Sequence, residues 1–294
     1  MKKILVLGGS GFLGSHVADA LTDQGFKVTI ADKKKSKWIN RNQTFKICDI
    51  KNNNSLNKLT KGMHAVFNFA AIADLETSLD SPIETVETNI LPVVNLLKIC
   101  KKNNVKRFIQ ASTVYVGGAY GSFYKSSKLA CESYIEEFNK RYNLDYSILR
   151  YGTIYGPRSE KTNSVYQIVQ NALIKKSIEY GGNPEIVRDY IHVFDAAKAS
   201  VKSLGNDFKN KKIIISGNQT IKVKDLLKIV TEILNINKKI KYVKKNKVRL
   251  FSHYTSTPYS MEQTLVMKYN SKMNIDIGQG LMHLIKDFKK DNFK

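Results

Sequence analysis

The 294-residue sequence is poor in cysteine, and the three it has, Cys48, Cys100 and Cys131, are odd in number and far apart. That excludes a disulfide framework and a cysteine-based metal cluster, and fits reduced, buried thiols in a cytoplasmic protein. The five histidines, His16, His64, His192, His253 and His283, show no ligand spacing, so no metal is expected. Long apolar runs are missing too. None approaches the roughly 18 residues of a membrane span, and no small-residue cleavage site follows the opening MKKILVLGG, so neither membrane insertion nor a secretory signal is expected. Arginine is scarce: it supplies 7 of the 48 basic residues, and lysine the other 41. The formal net charge of +23 invites a nucleic-acid reading. Yet arginine is the residue that grips bases and phosphates bidentately, and here lysine is scattered beside asparagine. The charge therefore reads as surface solvation, with a general preference for anionic ligands left open.

What is present is a rhythm. KILVLGG (3–9), KVTIAD (27–32), TFKICDI (44–50), HAVFNFA (64–70), KRFIQAS (106–112) and DYSILRYG (145–152) are strand-like runs. Between several of them lie helix-length segments, at 15–25, 83–103 and 124–142. Continuous apolar strands alternating with helices predict an α/β doubly wound fold, a parallel sheet covered on both faces. After Gly156-Pro157 the rhythm changes, with a helix (164–176), an irregular stretch (180–187), VRDYIHV (187–193), a helix (194–204) and KIIISG (212–217), and the alternation is lost from 219 onwards. The division expected is a core of 1–155 and 187–218 with a smaller substrate-binding lid of 156–186 and 219–294.

GGSGFLG places Gly8, Gly11 and Gly14 directly after a strand and before a helix. Glycines there let the backbone turn tightly and approach a pyrophosphate, whose charge meets the free N–H groups at the helix N-terminus, around Phe12 and Leu13. Asp32 ends the second strand, where a carboxylate accepts hydrogen bonds from an adenosine ribose and repels a 2′-phosphate, favouring NAD over NADP. Lys33, Lys34 and Lys35 argue the other way. Asp49 and Ile50, after the third strand, fall near the adenine in such a fold, though an aspartate there is equally a turn former.

STVYVGGAYGSFYKSSK (112–128) contains Tyr124 and Lys128, four apart and so on one face of a helix. A chain with 15 tyrosines and 41 lysines could supply such a pair by chance. The order of motifs removes the coincidence: GGSGFLG, Asp32, NFAA (68–71, with Phe69, Ala70 and Ala71), the Ser112-Thr113 pair, YKSSK, RYGTIYGPR (150–158) and VRDYIHV. In these, over nearly the whole chain, the sequence resembles the extended short-chain dehydrogenases/reductases, the branch of NAD-dependent nucleotide-sugar epimerases and dehydratases.

The resemblance implies NAD as cofactor, a nucleotide-diphosphate sugar as substrate, and a homodimer formed through the helices at 83–103 and 124–142. It implies Tyr124 as the base that takes the sugar hydroxyl proton, and Lys128 as the cation that favours its phenolate and binds the nicotinamide ribose. Thr113 holds the sugar hydroxyl, with Ser112 the alternative, and Arg188 grips the diphosphate. Thr153 stands where the family often has asparagine, which alters a substrate contact. His192 reads as a hydrogen-bonded core residue, and SHYTSTPYSMEQ (252–263) as a substrate-contacting segment or a surface loop.

Val114-Tyr115 follow Thr113 where dehydratases of the family carry Asp-Glu, which disfavours a 4,6-dehydratase. The absence of cysteine between 101 and 130 disfavours epimerisation by enolisation. Redox at a single carbon remains, at C4, with the outcome of a 4-epimerase or a 4-dehydrogenase. A spacer of ten residues between Thr113 and Tyr124, about half the family's usual length, is expected to leave the sugar side open to a larger sugar. The competing reading is a non-catalytic dinucleotide-binding regulator or an RNA-binding atypical family member.

Overall fold

The computed structural model describes residues 1–218, 220–237, 240–243, 266–269 and 275–292; the segment 252–263 singled out above lies outside them. The first half of the chain runs β1 (Lys3–Leu7), α1 (Phe12–Asp23), β2 (Lys27–Asp32), β3 (Gln43–Ile47), α2 (Asn53–Thr60), β4 (Ala65–Asn68), α3 (Leu75–Asp80), α4 (Pro82–Thr85), a π-helical turn (Val86–Ile90), α5 (Leu91–Lys102), β5 (Arg107–Thr113), a 3-10 turn (Val114–Gly117), α6 (Ser122–Tyr142) and β6 (Tyr146–Tyr151). The second half adds β7 (Thr153–Tyr155), α7 (Ser164–Lys175), β8 (Glu179–Tyr180), β9 (Val187–His192), α8 (Val193–Lys202), β10 (Lys211–Ile215), β11 (Thr220–Lys222), α9 (Val223–Ile233), β12 (Lys241–Tyr242), β13 (Met267–Lys268) and α10 (Ile277–Asn292).

Eight strands form one parallel sheet in the order β13-β10-β6-β5-β4-β1-β2-β3. Alternate side chains of each strand point to opposite faces, and both faces are covered. Ile4, Val6, Phe67, Ile109 and Leu149 meet Val17 and Leu21 of α1 and Ala196 and Ala197 of α8. Leu5, Leu7, Val66, Phe108 and Ile148 meet Leu96 and Leu97 of α5 and Cys131 and Ile135 of α6. This double burial is why the strands read as continuous apolar runs. Strand order reverses between β1 and β4, and ligands of such sheets bind at the carboxyl ends of the strands beside that reversal.

The long helix expected over 83–103 is instead α4, the π turn and α5, with Pro92 in the first turn of α5, where its missing N–H costs nothing. The segments divided by sequence are interleaved. β9 pairs with β7 on one side and β11 on the other in a separate three-stranded sheet, and β13, from the last part of the chain, returns to the edge of the large one. A further core of Tyr155, Val169, Leu173, Leu226, Leu227, Leu281 and Leu284 binds α7, α9 and α10 together. Among the described residues no helix is long and apolar enough to cross a membrane.

Candidate active site

The cradle sits at the strand reversal. Gly8 has φ +73°, and a side chain there would put Cβ 2.6 Å from the Ala70 nitrogen and 2.8 Å from the Phe69 carbonyl carbon. NFAA is thus the wall against which the turn after β1 is packed. A Cβ on Gly14 would lie 2.2 Å from the Gly8 oxygen, so α1 begins in contact with that turn. At Gly11 the nearest atom would be 3.4 Å away, an ordinary contact, with Glu160 Oε1 beyond it at 4.0 Å. Gly11 caps α1 without a side chain, and no acidic residue stands in the first turn. The N–H groups of Phe12 and Leu13 precede the first intrahelical bond, donated by Ser15 to Gly11, and so remain for an anion.

Asp32 Oδ2 accepts from the Ser10 N–H at 3.0 Å, tying the carboxylate at the end of β2 to the glycine turn. Together with Gly11, Lys34, Lys35, Ser36 and Glu160 these residues line a cavity of about 260 Å³. The Ser10 and Ser36 hydroxyls are buried without a hydrogen-bond partner. Lys33 is drawn away to Asp49, at 3.4 Å. Close contact at Gly8 and Gly14, free helix N–H groups, a fixed carboxylate and two unpartnered hydroxyls fit a dinucleotide. Asp49 also accepts from the Lys51 N–H, a turn that holds its carboxyl below the usual range, while Ile50 is buried in the core. Asp49 with Lys51, Asn52, Asn53 and Asn54 borders an open groove of about 630 Å³. Phe69 stacks on Phe67 with centroids 6.2 Å apart.

Beside the cradle, α6 packs on β5 and the 3-10 turn. Thr113 ends β5 and Tyr124 and Lys128 lie in the first two turns of α6. The Thr113 hydroxyl oxygen accepts from the Tyr115 N–H at 3.3 Å. Ser112 is committed elsewhere: its hydroxyl donates to Glu132 Oε1 at 2.5 Å. Of the two candidates for holding a sugar hydroxyl, Thr113 is thus the one whose hydroxyl is not bound beneath the helix. Lys128 donates to the Ala111 carbonyl at 2.9 Å and lies over the Tyr124 ring, 5.6 Å from its centroid. Burial pushes the Tyr124 phenol up and the Lys128 ammonium down, the latter opposed by Cys131 and Glu132. Sequence had Lys128 as a cation that lowers the phenol's pKa; in this geometry burial is the larger effect on both groups.

Two supports of this centre were missed from sequence. Asn89, buried in the π turn, accepts from the Ile72 N–H at 2.8 Å and donates to the Ile72 carbonyl and the Ser127 hydroxyl, each at 3.0 Å. It joins the loop after β4 to the residue preceding Lys128, and the signal that could have found it is the break before Pro92. The other support is Glu132.

The remaining candidates lie on the small sheet. Thr153 opens β7 opposite Tyr190 of β9, and Arg188, nearly buried, donates to the Val187 carbonyl at 3.1 Å. Arg188 and Asp189 are strand neighbours and point to opposite faces; the buried Asp189 carboxylate faces Lys268 at 3.7 Å instead. His192 Nδ1 accepts from the Phe194 N–H at 3.3 Å and caps α8, and burial lowers its pKa to about 3. His16, bonded to the Pro157 carbonyl at 3.0 Å, is lowered by burial to about 4.

A dinucleotide cradle beside a Thr-Tyr-Lys centre on a parallel sheet defines a Rossmann-fold oxidoreductase of the extended short-chain type. The model of the NAD dependent epimerase/dehydratase family matches residues 4–216, and the chain belongs to that family. It is an enzyme of that NAD-dependent kind. Over 98% of its length it is 26% identical to a putative UDP-glucose 4-epimerase of Methanocaldococcus jannaschii, 99% of which is covered. The Thermotoga maritima UDP-glucose 4-epimerase solved with UDP-glucose superposes with a TM-score of 0.85 at 27% identity, over 98% of this chain and 99% of that one. The Methanobrevibacter ruminantium UDP-N-acetylglucosamine 4-epimerase solved with UDP-N-acetylmuramic acid gives 0.85 at 27%, over 99% of each chain.

Proposed function

We propose that this enzyme inverts a nucleotide-diphosphate sugar at C4 through a 4-keto intermediate, as a 4-epimerase. The observation that supports the reading is Lys128, which lies over the Tyr124 ring and donates to the carbonyl of Ala111, two residues before Thr113. Both similar solved structures are 4-epimerases of UDP-sugars, which favours uridine as the base. NAD held by Gly8, Gly11, Gly14 and Asp32 would supply the hydride acceptor. Thr113 orients the C4 hydroxyl, Tyr124 takes its proton, and Lys128 stabilises the phenolate. Arg188 holds the diphosphate and Thr153 shapes the sugar side. Between Thr113 and Tyr124 the spacer is folded tightly: Gly121 has φ +121°, and a Cβ on it would meet Tyr115 Cβ at 2.8 Å. So compact a spacer leaves room for a sugar larger than a simple hexose.

Incubation with a panel of UDP-, GDP-, CDP- and dTDP-sugars, followed by NADH absorbance and product stereochemistry, tests this. Inversion at C4 without accumulation of NADH is expected. Accumulation of NADH with release of a keto sugar would instead identify a 4-dehydrogenase, and no turnover of any member would remove the reading.

We further propose a homodimer. Leu79, Ile83, Val86 and Leu91 are exposed on α3 to α5, and Phe123, Leu129 and Tyr134 on α6, the helix against which those elements pack. A second copy of the same apolar face is its occupant. Ile83→Glu, at a side chain that is 74% exposed, should convert a dimer to a monomer in sedimentation velocity. A monomeric wild type would end this proposal.

A further inference from the structure

Tyr124, Lys128 and Glu132 are spaced by four residues and share one face of α6. Glu132 is fully buried, at 0% exposure, and Arg150 on β6 is 2% exposed. Glu132 Oε1 accepts from Ser112 Oγ at 2.5 Å and from Arg150 Nε at 3.0 Å, and Oε2 accepts from Arg150 Nη2 at 2.5 Å. One carboxylate therefore ties α6 to two neighbouring strands, with two parallel bonds to β6 and one to β5. The β5 attachment is the residue immediately before Thr113.

Stability does not explain this arrangement. Desolvating two charges costs much of what their attraction returns, and a well-packed apolar pair of similar volume is often as stable or more so. What the ion pair adds is direction. A bidentate guanidinium-carboxylate contact fixes distance and plane at once, so α6 can neither rotate nor slide against β5 and β6 without breaking it. Tyr124 lies eight residues up the same helix, about 12 Å at 1.5 Å per residue, and a small rotation at Glu132 displaces the phenol from Thr113. Asn89 holds the opposite flank of the helix through Ser127.

We propose that Glu132 and Arg150 are positioning residues of the reaction, a buried charge-paired anchor that sets where α6 presents Tyr124 and Lys128 against Thr113. The proposal rests on the Tyr124 chemistry stated above. Its test uses the charge-free pair Glu132→Leu/Arg150→Met and, should that fail to fold, Ser112→Ala, which removes only the β5 attachment. In either variant kcat should fall while the KM for the nucleotide sugar and the NAD affinity stay near wild type, by up to about 100-fold in the double variant for a displacement near 1 Å. Tyrosine isotope-labelled at Cζ, with Tyr124 assigned by its loss in Tyr124→Phe, should show a displaced titration midpoint for Tyr124 in the NAD-bound variant. Unchanged kcat together with an unmoved Tyr124 titration would overturn the anchor. The titration needs no sugar, so a wild type that turns over none of the panel refutes the epimerase reading alone, and a displaced midpoint still supports the anchor.

Discussion

Tyr124→Phe should lower C4 inversion by about a thousandfold, the middle of the range that a positioned general base contributes, while leaving NAD bound. The ring fills the same space, and Lys128 keeps its bond to the Ala111 carbonyl, so fold and cradle are untouched. What is lost is the hydroxyl proposed to accept the sugar's proton. Because burial raises the Tyr124 phenol, the wild type holds it protonated at neutral pH, and kcat should climb as pH rises until the phenolate predominates in the complex. In the variant that limb should disappear. A steady-state pH profile beside a fluorescence titration with NAD checks both halves. Retained turnover would show that the base lies elsewhere.

The second large effect falls on the cradle. Gly14→Ala places a methyl 2.2 Å from the Gly8 oxygen and 3.0 Å from Gly9 Cα, both backbone, so either the turn or the start of α1 must move. Such overpacking costs ~1–3 kcal/mol. Taken from the cofactor complex, that is roughly a 5- to 150-fold loss of NAD affinity. Gly25→Ala is the control, since its φ of +81° strains an alanine but no atom lies within 4 Å of the new Cβ. It should lower the thermal midpoint and leave the NAD dissociation constant alone. Equal NAD affinity in Gly14→Ala and wild type, by calorimetry, would contradict the cradle.

The core strands were legible because burial on both faces leaves them few polar positions, and the cradle because glycine, strand and helix must follow in that order. Tyr124 and Lys128 became legible only through the motifs around them. Three things were not. Whether Ser112 or Thr113 is free to face a sugar is a matter of strand parity, which a one-residue shift inverts; the bond from Ser112 to Glu132 engages the Ser112 hydroxyl. Glu132 and Arg150 are 18 apart in sequence and look like any two charges on a helix and a strand until β6 is placed beside β5. The effect of burial on Tyr124 and Lys128 could not be read from their spacing, because a spacing carries no information about solvent.

β13 has a consequence for how the chain is made. β10 pairs with β6 on one side and with β13 on the other, and the two β10 neighbours come from opposite sides of it along the chain. As the polypeptide leaves the ribosome, β6 and β10 can join the growing sheet while Met267–Lys268 is still unmade. Until then the outer edge of β10 presents unpaired N–H and C=O groups to any strand nearby. For this enzyme the hazardous interval of biosynthesis is the translation of the stretch between β10 and β13, after the other strands of the sheet are already made.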